Sequence, residues 1–106
     1  QLYVMNAAGS NQRRISFGGG AYGSPVWSPD GSKIAFVRVG AFRIGVMNAG
    51  GGGERILTDG WQDESPSWAP NSQFVMFNRF NRGGNSSLFA VPVGGGTARR
   101  LPTPQD

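Results

Sequence analysis

The six residues Ser24-Pro25-Val26-Trp27-Ser28-Pro29 return as Ser65-Pro66-Ser67-Trp68-Ala69-Pro70, 41 positions later. Ile34-Ala35-Phe36 returns as Val75-Met76-Phe77 at the same spacing. A second segment occurs three times. Leu2-Tyr3-Val4-Met5-Asn6-Ala7 matches Ile44-Gly45-Val46-Met47-Asn48-Ala49, 42 residues on, and Leu88-Phe89-Ala90-Val91 follows, with Val91 standing 44 residues after Met47. Each copy leads through a Gly-rich stretch into Arg13-Arg14-Ile15-Ser16, Arg55-Ile56-Leu57-Thr58 or Arg99-Arg100-Leu101-Pro102. An internal repeat limits what a chain can fold into more than composition does, because each copy must be one unit that buries its apolar surface against the next.

Repeats of this length can be helical or stranded. A helix needs apolar residues at i, i+3 and i+4 over ten or more positions. Here the apolar runs are short, alternate, and are broken by Gly or Pro. That pattern, and a period of about 40–45 residues, suit the four-stranded blade of an all-β propeller. In one blade, strand A is Pro25–Trp27, and Pro29-Asp30-Gly31 turns the chain into strand B, Lys33–Arg38. Strand C is Arg43–Asn48, Gly50 to Gly53 form a hairpin, and strand D is Glu54–Thr58. Ile34 and Phe36 lie on one face of strand B and Ala35 and Val37 on the other, so both faces are apolar, as a blade with a neighbour on each side requires. The expected division is residues 1–16 as strands C and D of one blade, 24–58 as a second blade and 65–101 as a third: antiparallel and about two and a half blades long. Closure needs about four blades or more. The chain is therefore expected to be a piece of a longer propeller, or to cover its open ends by self-association. Tyr3 and Met5 at one end, and Phe77 and Phe89 at the other, are the expected open faces.

The 18 Gly and 7 Pro of the 106 residues fit turns between short strands better than disorder, given the recurring Trp, Phe, Val and Ile. The net charge of +4 is carried by scattered Arg, with Lys33 the only lysine, so it reads as a solvated rim and not a nucleic-acid surface. There is no Cys and no His, which removes thiolate and imidazole metal sites, Ser-His-Asp chemistry and the commonest general base. No apolar run approaches the ~20 residues of a membrane span. A sequence opening at Gln1 with no leader reads as part of a mature protein.

Ser24 to Phe36 and Leu2 to Ala7 resemble the blade motif of the TolB family and its relatives. Similar motifs occur in the propellers of prolyl-oligopeptidase-type and tricorn-type peptidases. Phe42 to Ala49, Leu57 to Asn71 and Arg100 to Pro104 narrow the resemblance to the last blades of TolB-type propellers. Ala8-Gly9, Gly50-Gly51 and Gly94-Gly95 replace the family's usual Asp-Gly hairpins, and Ser72 replaces a turn Gly. The resemblance implies a periplasmic, non-enzymatic component of the Tol–Pal cell-envelope system whose propeller binds the lipoprotein Pal. The alternatives are a gating propeller of a serine peptidase, or an engineered or excised piece without native function.

The conspicuous polar segment is Thr58-Asp59-Gly60-Trp61-Gln62-Asp63-Glu64, expected in the loop from strand D to the next strand A. Its carboxylates lack the spacing of a calcium loop, so no metal is expected. Trp61, with Gln62, Asp63 and Glu64, is the candidate partner contact, since Trp is enriched in binding hot spots. Tyr22, in the equivalent loop Phe17 to Gly23, is expected on the same surface. That loop has no Lys-Ser/Thr for a phosphate cradle, and no cofactor is expected. Trp27 and Trp68, one per blade, are expected in the core. Arg13, Arg55 and Arg99 would charge an outer edge strand. Ser72 takes the place of Gly31, which predicts a positive φ and a modest gain in stability for Ser72→Gly.

Overall fold

A computed structural model describes residues 2–4, 13–14, 21–40 and 42–102. Ten strands follow in chain order: β1 (Tyr3–Val4), β2 (Arg13–Arg14), β3 (Tyr22–Trp27), β4 (Lys33–Arg38), β5 (Arg43–Asn48), β6 (Arg55–Ile56), β7 (Gln62–Trp68), β8 (Phe74–Phe80), β9 (Ser86–Pro92) and β10 (Arg99–Arg100). They form a two-stranded sheet, β1-β2, and two antiparallel meanders in sequence order, β3-β4-β5-β6 and β7-β8-β9-β10. This is the stacked four-stranded architecture that the repeat predicts.

The turn between the first two strands of each meander is built alike. In the middle sheet Ser28 Oγ donates to Asp30 Oδ1 at 2.7 Å, Ser32 N donates to the same oxygen at 2.9 Å, and Gly31 N closes the turn on Ser28 O. In the last sheet Gln73 N donates to Asn71 Oδ1 at 3.0 Å and Ser72 N donates to Ala69 O. The aligned residues Gly31 and Ser72 have φ of 75° and 61°. Ser72 therefore holds the left-handed conformation expected from its position. Its hydroxyl also accepts a 3.1 Å hydrogen bond from Asp30 N in the neighbouring sheet. That bond compensates for the strain, and it removes the simple expectation that Gly would be better there.

Strand β7 begins at Gln62, three residues before the expected start, and β3 begins at Tyr22. The reason is a bulge. Ser65 and Pro66 together face one residue of β8, and Ser24 and Pro25 together face one residue of β4. Ser24 and Ser65 have φ of 51° and 56°. A bulge is where a strand tolerates Pro, since the missing N–H has no ladder partner to satisfy. The repeated Ser-Pro thus interrupts each strand and does not start it.

Both faces of β4 are buried. Ile34 and Phe36 join Leu2, Tyr22 and Met47 on one side. Ala35 and Val37 join Ile44, Val46 and Leu57 on the other, where Trp68, Val75, Phe77 and Val91 of the last sheet meet them. This second cluster is the main core, and it lies between the two sheets. Gly45 shapes the other cluster, on the Phe36 and Met47 face: a Cβ there would stand 2.5 Å from Cζ of Phe36.

Two expectations about burial are overturned. Phe77 is fully buried against the middle sheet, so it is not on an open face. Residues of opposite parity, Phe74, Met76 and Ala90, line the far side of the last sheet with Arg99, Arg100 and Leu101. Trp27 is 51% exposed whereas Trp68 is 9% exposed, because among the described residues the two-stranded sheet supplies no equivalent of β3 to cover Trp27. Tyr3 is exposed, and Met5 lies outside the described residues.

Candidate partner-binding rim

The segment Asp59 to Glu64 is fixed by one buried charge. Asp63 is 0% exposed and faces Arg79 across the β7-β8 ladder. Arg79 Nε donates to Asp63 Oδ1 at 2.9 Å and its Nη2 to Oδ2 at 3.2 Å. A bidentate pair of this kind sets orientation as well as charge. The Asp63 carboxylate raises the Arg79 guanidinium above its usual pKa, chiefly through this hydrogen bonding. The same guanidinium lies 4.7 Å from the Phe89 ring centroid and 5.5 Å from that of Phe77. Gly60 lets the loop pass close by, since a Cβ there would come within 2.6 Å of Asp63 Oδ2 and of Arg79 Nε. The backbone is tied as well, with Asp63 N donating to Phe42 O of the middle sheet at 2.7 Å.

In the middle sheet the aligned pair is Tyr22 and Arg38. Arg38 Nη1 donates to the Tyr22 hydroxyl at 3.0 Å and to Glu54 Oε2 at 2.9 Å, and Tyr22 donates to Glu54 Oε1 at 2.6 Å. Each sheet therefore neutralises the arginine at the end of its second strand, once with Asp and once through a Tyr and a distant Glu.

The expected site residues separate accordingly. Trp61 is 49% exposed at the rim. Gln62 and Glu64 are half-buried in β7, with Gln62 Nε2 donating to Glu64 Oε2. Asp63 is enclosed and bound to Arg79, so its carboxylate supports the rim from beneath and is not presented to a partner. Tyr22 is buried, its ring 5.1 Å from that of Phe36, and it belongs to the middle sheet's own core. It is not brought to Trp61. With Asp63 occupied, the carboxylates of this segment do not converge, and among the described residues no three such ligands form a metal cluster.

The structure adds residues that sequence reasoning passed over. Arg82 lies over the Trp61 ring at 5.1 Å. It rides on a turn closed by Asn81 N to Asn85 O and by Asn81 Oδ1, which accepts from Gly83 N and Asn85 N. Next to Trp61 a groove of about 370 Å³ is lined by Arg79, Phe80, Asn81, Asn85, Phe89 and Arg100. A second groove of about 340 Å³ continues from Arg79 past Thr58 and Asp59 to Thr97. The recurrence of Arg38 as Arg79 was the available signal for this arginine. Arg100 stands in the repeated Arg99-Arg100 segment, whereas Arg82 had no such signal, because its position follows from the fold.

Comparison with known proteins places this geometry. A family model described as the TolB beta propeller domain matches residues 1–106. The Tol-Pal system protein TolB of Rhizorhabdus wittichii is 56% identical over 68 residues, covering 63% of this chain and 16% of that protein. That of Wolbachia pipientis wMel is 42% identical over 108 residues, covering 98% of this chain and 26% of that protein. The crystal structure of TolB from Acinetobacter baumannii superposes with a TM-score of 0.77 at 20% identity, covering 94% of this chain and 26% of that one, which is a likeness of fold. The chain thus spans about a quarter or less of the length of these two TolB proteins.

Proposed function

Because the chain belongs to the TolB beta propeller family, we propose that it is a non-catalytic, protein-binding part of a periplasmic Tol–Pal cell-envelope component, and that its rim around Trp61 contacts a Pal-type lipoprotein. The observation that carries the rim assignment is a half-exposed Trp61 beside a segment held rigid by the enclosed Asp63–Arg79 pair. A rigid aromatic anchor loses little conformational freedom on binding, which is the condition under which one residue dominates an interface. Gln62 and Glu64 border the anchor as polar rim. The blades proposed for this scaffold are residues 24–58 and 65–101, with 1–16 contributing a partial one.

The test is calorimetric titration of the chain with the soluble domain of a Pal-type lipoprotein. Trp61→Ala should weaken binding by at least ~2 kcal/mol with circular dichroism unchanged. Equal affinity would remove Trp61 as an anchor, and no binding by the parent chain would remove the reading itself.

A further inference from the structure

We infer that the groove beside Trp61 takes an acidic segment of the protein partner, with a carboxylate held by the arginines at its mouth and an adjoining apolar side chain against Phe80 and Phe89. This deepens the binding role proposed above and rests on it.

Charge is the first argument. The groove lining includes Arg79 and Arg100 and contains no Asp or Glu. Arg79 is already answered from beneath by Asp63, so it shapes the floor. Arg82, at the lip, holds its guanidinium against the Trp61 face, 5.1 Å from the centroid. That contact holds the cation beside the ring, and the guanidinium N–H groups are the donors that pair with a carboxylate.

Size and pre-organisation are the second. A volume of about 370 Å³ suits one or two side chains. The turn that carries Arg82 is closed by its own hydrogen bonds, with Gly84 at φ 87°, so the backbone that presents the cation is set before any partner arrives. Phe80 and Phe89 supply apolar wall next to the charge, and Asn81, Asn85 and Ser87 supply polar groups around it.

A nucleic-acid strand fits less well. Phosphate tracking needs a continuous cationic path with successive stacking platforms. Here the neighbouring groove presents Asp59, which would repel the next phosphate.

The experiment uses two N-acetylated heptapeptides that differ only at the residues flanking a central Phe, Glu in one and Gln in the other. Each is titrated into the chain at low and high salt and followed by NMR. The Glu peptide should bind about tenfold more tightly, the Trp61 indole signal should shift, and high salt should reduce the difference. Arg82→Gln should remove most of that tenfold preference and Arg82→Lys should restore part of it, while Arg43→Gln, on the middle sheet, should leave it intact. Equal binding of the two peptides, or tighter binding of a ten-residue oligothymidylate, would overturn the assignment. Pal-domain binding that ignores both salt and Arg82→Gln would overturn it too, while leaving the Pal reading standing. Preference for the Glu peptide without any Pal binding would support the groove and remove Pal as its occupant.

Discussion

The indole nitrogen of Trp68 donates a 2.9 Å hydrogen bond to the backbone carbonyl of Val26, so the first strand of the last sheet is pinned to the first strand of the middle sheet. Trp68 is 41 residues after Trp27, yet Trp27 is half exposed. Trp68→Phe keeps most of the apolar area and leaves the Val26 carbonyl without this donor, which should cost about 1–3 kcal/mol. Trp27→Phe should change stability by less than ~0.5 kcal/mol. Urea unfolding of the two variants side by side checks the contrast.

Ser72 allows a finer test. Ser72→Ala keeps the Cβ at positive φ but loses the bond from Asp30 N, and should destabilise by ~1 kcal/mol. Ser72→Gly relieves roughly 1–2 kcal/mol of strain, loses the same bond and adds the ~0.5–1 kcal/mol entropic cost of Gly. Those effects should nearly cancel, leaving the parent's urea midpoint almost unchanged. A clear gain would mean that the hydroxyl bond contributes nothing.

These two positions show what could be read in advance. The repeat identified the turn, the positive φ of Ser72 and the two apolar faces of β4, because all three follow from residue type and spacing. It could not distinguish Trp27 from Trp68, since burial depends on which sheet stands alongside. Nor could it reveal that Asp63, read as a surface carboxylate, meets Arg79, because that pair forms across a ladder whose register is set by the bulge.

Asp30 should make stability pH-dependent in the acid range. The hydroxyl of Ser28 and then the backbone and hydroxyl of Ser32 hold its carboxyl at about 2, below the ordinary 3.8. A folded pKa below the unfolded one means that the contribution is complete above pH 3.8 and is lost as the pH falls through about 2. Asp30→Asn should flatten that part of the stability profile, measured as thermal midpoints between pH 5 and pH 2.

Asp63→Asn should be far more damaging than Glu64→Gln. It removes the charge that compensates a partly enclosed Arg79, and such breakage costs roughly 3 kcal/mol. Gly60→Ala should act in the same direction, because its methyl group would press on the ion pair itself. Chemical denaturation of all three orders them. Glu64→Gln equal to Asp63→Asn would deny the pair its structural role.

Gly45→Ala should lower stability by about 1–3 kcal/mol, since the added methyl overlaps the fully buried Phe36 ring. Phe36→Leu in the same chain should recover part of the Gly45→Ala penalty relative to its effect alone. A double-mutant cycle measures that coupling, and strict additivity would place the two side chains apart.

The bulge at Ser65-Pro66 acts as a phase change in the inside-outside rhythm of β7. The buried positions run Asp63, Pro66, Trp68, a step of three followed by a step of two. Were β7 to run straight through Ser65-Pro66 with no bulge, keeping Trp68 inward would turn Asp63 outward and bring Glu64 to face Arg79. Straightening the bulge is therefore a frameshift in space: every amino acid is still translated correctly, but those upstream are delivered to the wrong side of the sheet. The same slip awaits any alignment or design that counts strict alternation through the Ser-Pro pair.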